Sequence, residues 1–170
     1  MKKLFVFALL SLALTACVGP MTPIQDASDE QSGLVYGYFT GDLGVPNITL
    51  YNKETKVMAP WMKGNVPAHT FSNGLIVFDN VPPGEYWIHG FGVGQQAYSL
   101  GEHRIEVKVG PGEAKFLGAY RYAHSPGLLS REFTLQRVDQ PSHRTVLQWA
   151  VEATADTDWS PRLRQRLETL

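Results

Sequence analysis

Three groups of residues in this chain are of types that do chemistry. The first is Cys17, the only cysteine among 170 residues. With no second thiol, the chain has no intramolecular disulfide to form. The second is Ala97-Tyr98-Ser99-Leu100-Gly101, which has the A-x-S-x-G spacing of a nucleophile elbow. An elbow needs a strand before the serine and a helix after it. Here an alternating stretch, Ile105 to Val109, follows, and strand and helix patterns do not alternate along the chain, so a serine hydrolase is set aside and no enzyme is expected. The third is the five histidines, His69, His89, His103, His124 and His143. No two stand at i, i+2 or i, i+4 ligand spacing. A metal site would have to be assembled in space, for example from His89, His103 and Glu102, and neither a metal nor another cofactor is expected. Gly90-Phe91-Gly92-Val93-Gly94 is glycine-rich, but it is not the dinucleotide fingerprint and no helix follows it; it reads as a hairpin tip.

Aromatic side chains are the better lead to binding. Tyr36 and Tyr38 share one face of an expected strand, as do Tyr120 and Tyr122. With Trp61 and Tyr98 they are the candidate ligand or partner contacts, joined by Tyr86 and Trp87, because ring faces stack on the apolar C–H patches of sugars. A sandwich core draws on the same residue types, and core or interface packing is the favoured reading.

These residues need elements to position them. Gly (16) and Pro (11) are frequent and charged residues make up only 18% of the chain, which suits a mainly β domain with many turns. Residues 18–32 lack an apolar period and read as a flexible tether. Strands are expected at 34–40, 47–52, 74–78, 86–91, 103–109, 115–122 and 132–138. The segment 74–78, apolar on both faces, reads as a central, well-covered strand. In 103–109, Ile105, Val107 and Val109 point inward and the charged residues outward. Val81-Pro82-Pro83-Gly84-Glu85 and Val109-Gly110-Pro111-Gly112-Glu113 share the pattern V-x-P-G-E with a glycine five residues later, Gly90 and Gly118. Both read as type II turns with positive φ at Gly84 and Gly112, and the later glycines as bulges or close contacts.

The period changes at the C-terminus. Ser142 is placed to cap a helix from His143 to about Ala153, with Val146, Leu147, Ala150 and Val151 on one stripe. Ser160-Pro161 reads as the start of a second helix over 161–169, with Leu163, Leu167 and Leu170 on a common face. The pair is expected to pack on the domain as an appendage. Arg162, Arg164 and Arg166 form a basic strip, read as a solvated face, with an anionic lipid or acidic partner as the sharper alternative.

The start of the chain resembles a bacterial lipoprotein leader. Lys2 and Lys3 precede an apolar run from Leu4 to Ala16, too short to span a membrane, and Leu14-Thr15-Ala16-Cys17 is similar to a lipobox. That resemblance implies cleavage before Cys17, a diacylglycerol thioether on its sulfur and an acylated new amino terminus. Several acyl chains give a stable anchor. The competing reading is an ordinary signal cut near Ala16. Val18 stands where an aspartate would mark inner-membrane retention, so the resemblance implies the outer membrane, facing the periplasm by default. Without Lys2 and Lys3 the 15 basic residues become 13 against 16 acidic, a net charge of −3, which argues against a broad nucleic-acid surface.

Leu75-Ile76-Val77-Phe78-Asp79-Asn80-Val81-Pro82-Pro83-Gly84-Glu85-Tyr86-Trp87-Ile88 resembles the F-x-N-V-P-P-G-x-Y turn of carboxypeptidase-regulatory-like and related transthyretin-like β-sandwich domains. The stretch from Val107 to Gly118 is similar to a strand pair of small bacterial lipoproteins. The resemblance covers residues 33–138 and implies a fold rather than an activity; the helical C-terminus departs from it. The expectations are an antiparallel, transthyretin-like β-sandwich with a C-terminal helical pair, divided into leader 1–16, lipidated tether 17–32, sandwich 33–138 and helical segment 139–170. The expected role is a lipid-anchored, non-catalytic envelope component that binds a partner protein through a sheet edge or loop face. The alternative is a periplasmic glycan- or peptide-binding module.

Overall fold

The computed structural model describes residues 23–55, 64–124 and 133–170. Cys17 and Trp61 lie outside them. The fold is mainly β, with two packed sheets and two C-terminal helices. In chain order the strands are β1 (Gly33–Gly41), β2 (Asn47–Asn52), β3 (Val66–Pro67), β4 (His69–Thr70), β5 (Leu75–Val81), β6 (Gly84–Ile88), β7 (Gly90–Val93), β8 (Gln96–Ser99), β9 (Ile105–Val109), β10 (Ala114–His124) and β11 (Phe133–Arg137). The helices are α1 (His143–Ala153) and α2 (Trp159–Glu168). The first sheet has the order β11-β10-β1-β5-β4; the second has the order β8-β7-β2-β6-β9, with β3 paired to β2.

The antiparallel expectation needs one correction: β1 and β10 pair in parallel. The chain leaves the first sheet after β5, builds β6 to β9 in the second, and returns along the other side of β1 in the same direction as β1. Parallel pairing favours sheets covered on both faces, and this one is. On β1 and β5, Val35, Phe39, Ile76 and Phe78 enter the core between the sheets. Leu34, Tyr36, Leu75 and Val77 enter a second core against the helices. The helical pair is therefore not an appendage but a third layer. Val146, Leu147, Ala150, Trp159 and Leu163 are wholly buried in that second core, while Leu170, expected on the same stripe, is exposed.

Local chemistry explains the boundaries. Ser142 accepts the Thr145 N–H at 3.2 Å and caps α1 as expected. Ser160 does not cap α2; it is buried in the first turn, and α2 begins at Trp159. The two V-x-P-G-E turns differ. Gly112 has φ +62 and the Glu113 N–H reaches Gly110 C=O at 3.2 Å, a type II-like turn. Gly84 lacks positive φ; in the first copy that conformation falls on Asn80, at φ +51, a residue type that tolerates it. Gly118, φ +117, sits where the β1–β10 register shifts, so it does mark a bulge. The expected strand 86–91 is broken at His89 into β6 and β7, and the pairing with β2 slips by one residue there.

Two expectations follow. Truncation after Val138 uncovers Leu34, Tyr36, Leu75 and Val77, so the sandwich alone is expected to be insoluble or unfolded, as judged by near-UV circular dichroism. Trp159→Ala removes a fully buried indole and is expected to cost about 3–5 kcal/mol in denaturant unfolding, with sheets and helices melting in one transition.

Candidate functional site

The corner where the chain crosses from β3 in the second sheet to β4 in the first forms one wall of a cleft of about 620 Å³. The opposite wall comes from Pro23 and Ile24 of the N-terminal segment and from the end of α1 and the following turn, residues 152–157. The lining mixes apolar groups with three carboxylates, Asp79, Glu152 and Asp156, and includes neither lysine nor arginine. His69 is its only basic side chain. Such a concave, largely apolar site with a few convergent polar groups is the usual form of a ligand site, and its charge suits a cationic group over an anionic one.

Asp79 is one of the lining carboxylates. Its Oδ1 lies 3.0 Å from His69 Nε2, and its Oδ2 accepts the Gln25 N–H at 2.6 Å. Burial pushes this carboxyl up. The hydrogen bonds from His69 and from the Gln25 backbone outweigh that, so its pKa is held below the usual 3.8. One carboxylate thus ties β4, β5 and the N-terminal segment together.

That segment corrects the tether expectation. Residues 23–32 are docked. Asn80 Oδ1 accepts the Ser28 N–H at 2.6 Å and its Nδ2 donates to Asp26 C=O. Asp158 Oδ1 accepts the Ala27 N–H, while Asp26 Oδ1 accepts the Asp158 N–H. The Trp159 indole N–H donates to Gln25 C=O at 2.9 Å. No apolar period announces this docking, because backbone groups and short polar side chains carry it. The signal that existed was the Asp and Ser content of 25–32, which suits local capping of free N–H groups.

The candidate aromatic contacts are not brought together. Tyr36 and Tyr38 face the helices. Tyr36 is fully buried, its hydroxyl 2.7 Å from His143 Nε2, and Tyr38 packs against Trp149. Tyr122 and Tyr98 are buried between the sheets, with Tyr120 packed against the same core. Tyr122 donates to Gly44 C=O and Tyr98 to the Gln96 side chain. Tyr86, also buried, donates to Pro82 C=O at 2.8 Å. Trp87 alone stands on the outer face of the second sheet, with the Arg104 guanidinium 4.6 Å from its ring centre and His89 edge-on beside it.

The remaining chemical motifs are placed as follows. Ser99 ends β8, and a three-residue 3-10 turn (Gly101–His103) rather than an α-helix follows it, so the elbow context is absent. Among the described residues no three His, Cys, Asp or Glu side chains gather closely enough to hold a metal. The basic strip is not continuous. Arg162 stacks on Trp159, and Arg166 turns inward beside Tyr36 and His143, its Nε buried. His143 lies flat on Phe116, with centroids 4.1 Å apart. Burial, with help from Arg166, lowers its pKa below 6.5.

No protein-family model, no curated protein and no solved structure matches this chain.

Stability is expected to fall with acid in two windows. The folded state holds the pKa of both His143 and Asp79 below their ordinary values, so each contributes fully above that value and loses its contribution as pH falls through the lowered one. The His143 loss begins near pH 6.5 and the Asp79 loss below pH 3.8. Asp79→Asn is expected to cost about 1–3 kcal/mol at neutral pH and to shrink the lower window, to which Glu113 with its lowered pKa also contributes, read as urea midpoints against pH.

Proposed function

We propose that this chain is a lipid-anchored lipoprotein of the bacterial envelope. In this reading Cys17 carries the lipid, the outer membrane is the site, and the folded part is a non-catalytic, partner-binding component of the periplasmic space. The leader-like segment ending in Leu14-Thr15-Ala16-Cys17 supports the anchor. Among the described residues no helix is long and apolar enough to cross a membrane. The likeness to carboxypeptidase-regulatory-like sandwiches belongs to the same reading and bears on fold rather than activity.

The observation that carries the binding role is where the chain enters the fold. Pro23 and Ile24 line the cleft, and Pro23 stands six positions after Cys17, with five residues between them. Even fully extended, six residues reach only about 20 Å. The cleft is then held next to the bilayer surface rather than carried on a long leash, and its occupant is a group presented close to the membrane. The carboxylates at its rim favour a basic or amine-bearing segment of an envelope protein. A glycan platform built from the tyrosines loses its support, because Tyr36, Tyr86, Tyr98 and Tyr122 are buried and the half-buried Tyr38 and Tyr120 lie on opposite faces of the first sheet.

The test is fractionation joined to crosslinking. Wild-type protein is expected in the outer-membrane fraction and Cys17→Ala in the soluble periplasm. A photo-crosslinking residue at Ala155, exposed on the cleft rim, is expected to capture one dominant envelope protein from the anchored form. A Cys17→Ala chain that stays with the membrane sinks the anchor; an anchored chain that captures nothing at Ala155 sinks the cleft.

A further inference from the structure

Strand β9 closes one side of the second sheet, and among the described residues nothing pairs with its outer edge. One bond fixes which of its backbone groups face outward. The Lys53 N–H donates to Glu85 C=O at 2.9 Å, so Glu85 turns its carbonyl toward β2 and away from β9. Glu85 stands opposite Lys108, which makes that pair a non-hydrogen-bonded one. By the alternation of antiparallel ladders, Gly84–Val109, Tyr86–Val107 and Ile88–Ile105 are the bonded pairs. The N–H and C=O groups of Glu106 and Lys108 therefore point out of the sheet edge. The side chains are sorted just as cleanly: Ile105, Val107 and Val109 are buried, Glu106 and Lys108 exposed.

A row of free backbone groups is a template for another strand, and the charges along it select which strand. Let a second copy approach antiparallel about a two-fold axis perpendicular to the sheet. Facing residues must share a face, and outward-bonding residues must meet their like. Centring the pair on Glu106 sets Glu against Glu and Arg104 against Lys108. Centring on Lys108 sets Lys against Lys. Centring on Ile105 or Val109 runs the strand into the turn at Gly101–His103 or the one at residues 110–113. Centring on Val107 alone uses the whole strand. It sets Glu106 of each copy opposite Lys108 of the other, in two hydrogen-bonded pairs of opposite charge.

We propose that the β9 edge is a homodimer interface, two copies joining their second sheets antiparallel about Val107. Each copy keeps its internal ion pairs on the same face, Lys53 with Glu106 at 2.9 Å, Arg104 with Glu106 at 3.3 Å and Lys108 with Glu85 at 3.7 Å, so the join extends a charge ladder already present. The interface lies apart from the cleft and does not depend on what the cleft binds.

Charge exchange tests the register. The purified full chain, in detergent, is expected to sediment as a dimer. Glu106→Lys and Lys108→Glu, singly, set like charges opposite one another twice and are expected to raise the dimer dissociation constant about tenfold or more. The chain carrying both substitutions restores opposite charges across the axis and is expected to regain the dimer, although its internal ion pairs are not restored. Lys108→Pro removes an outward N–H that the β6 ladder does not use, and is expected to give a folded monomer by circular dichroism. A monomeric wild type, single variants that dimerise as well as wild type, a double variant no better than the single ones, or a Lys108→Pro chain that fails to fold would each overturn the assignment.

Discussion

The structure depends on a pair of strands buried on both faces. β1 and β5 send alternate side chains into two separate cores, Val35, Phe39, Ile76 and Phe78 to one side and Leu34, Tyr36, Leu75 and Val77 to the other. A sheet of this kind cannot leave either face to water, since each exposed Leu, Val or Phe forfeits about 1.5–3 kcal/mol of burial. The second sheet covers one face and α1 with α2 the other. A buried strand must also pair every backbone group, and β10, returning in parallel, completes that pairing for β1. By contrast, the second sheet alternates in the simple way, apolar inward and charged outward, and its outer face carries Trp87 among ion pairs.

The helical layer in turn organises the chain's entry. Trp159 fills the second core while its indole N–H holds Gln25, and Asp158 at the same helix start exchanges hydrogen bonds with Asp26 and Ala27. Asp79 and Asn80 at the end of β5 supply the other half of the clasp. Removing the helices would therefore free the N-terminal segment as well as expose the sheet. The cleft exists because these three parts meet at a corner of the sandwich without filling it.

Much of this was legible in the sequence where a period or a cap spoke directly. β2 and β9 fall where alternation set them, 74–78 is doubly covered as its unbroken apolar run implied, and α1 starts after Ser142 as its cap required. The helices' role was less legible. A stripe of Val146, Leu147 and Ala150 says that a helix is buried on one side, not whether its partner is a sheet already in use. The docked segment 23–32 was invisible to periodicity because polar groups and main chain do most of the holding, with only Ile24 and Ala27 packed on the second core. The aromatic lead failed for the reason weighed against it: tyrosine serves a core as well as a binding platform, and the hydroxyls of Tyr36, Tyr86, Tyr98 and Tyr122 are each satisfied from within. The cleft itself had no local signature, since its lining comes from five separated stretches.

Placement of charge bears on how such a domain would sit at a membrane. Of the arginines near the C-terminus, Arg162 is held over the Trp159 ring and Arg166 beside Tyr36 and His143. Arg164 is left exposed on its own. The surface nearest the chain's entry is lined by Asp79, Glu152 and Asp156, and the chain after Cys17 carries a net negative charge. Adsorption to anionic headgroups draws on clustered Lys and Arg, each contributing about 1 kcal/mol, and the cleft lining holds neither. On the proposed reading, acyl chains on Cys17 supply the attachment, and like charge between the acidic cleft and anionic headgroups would leave the cleft open to a basic partner.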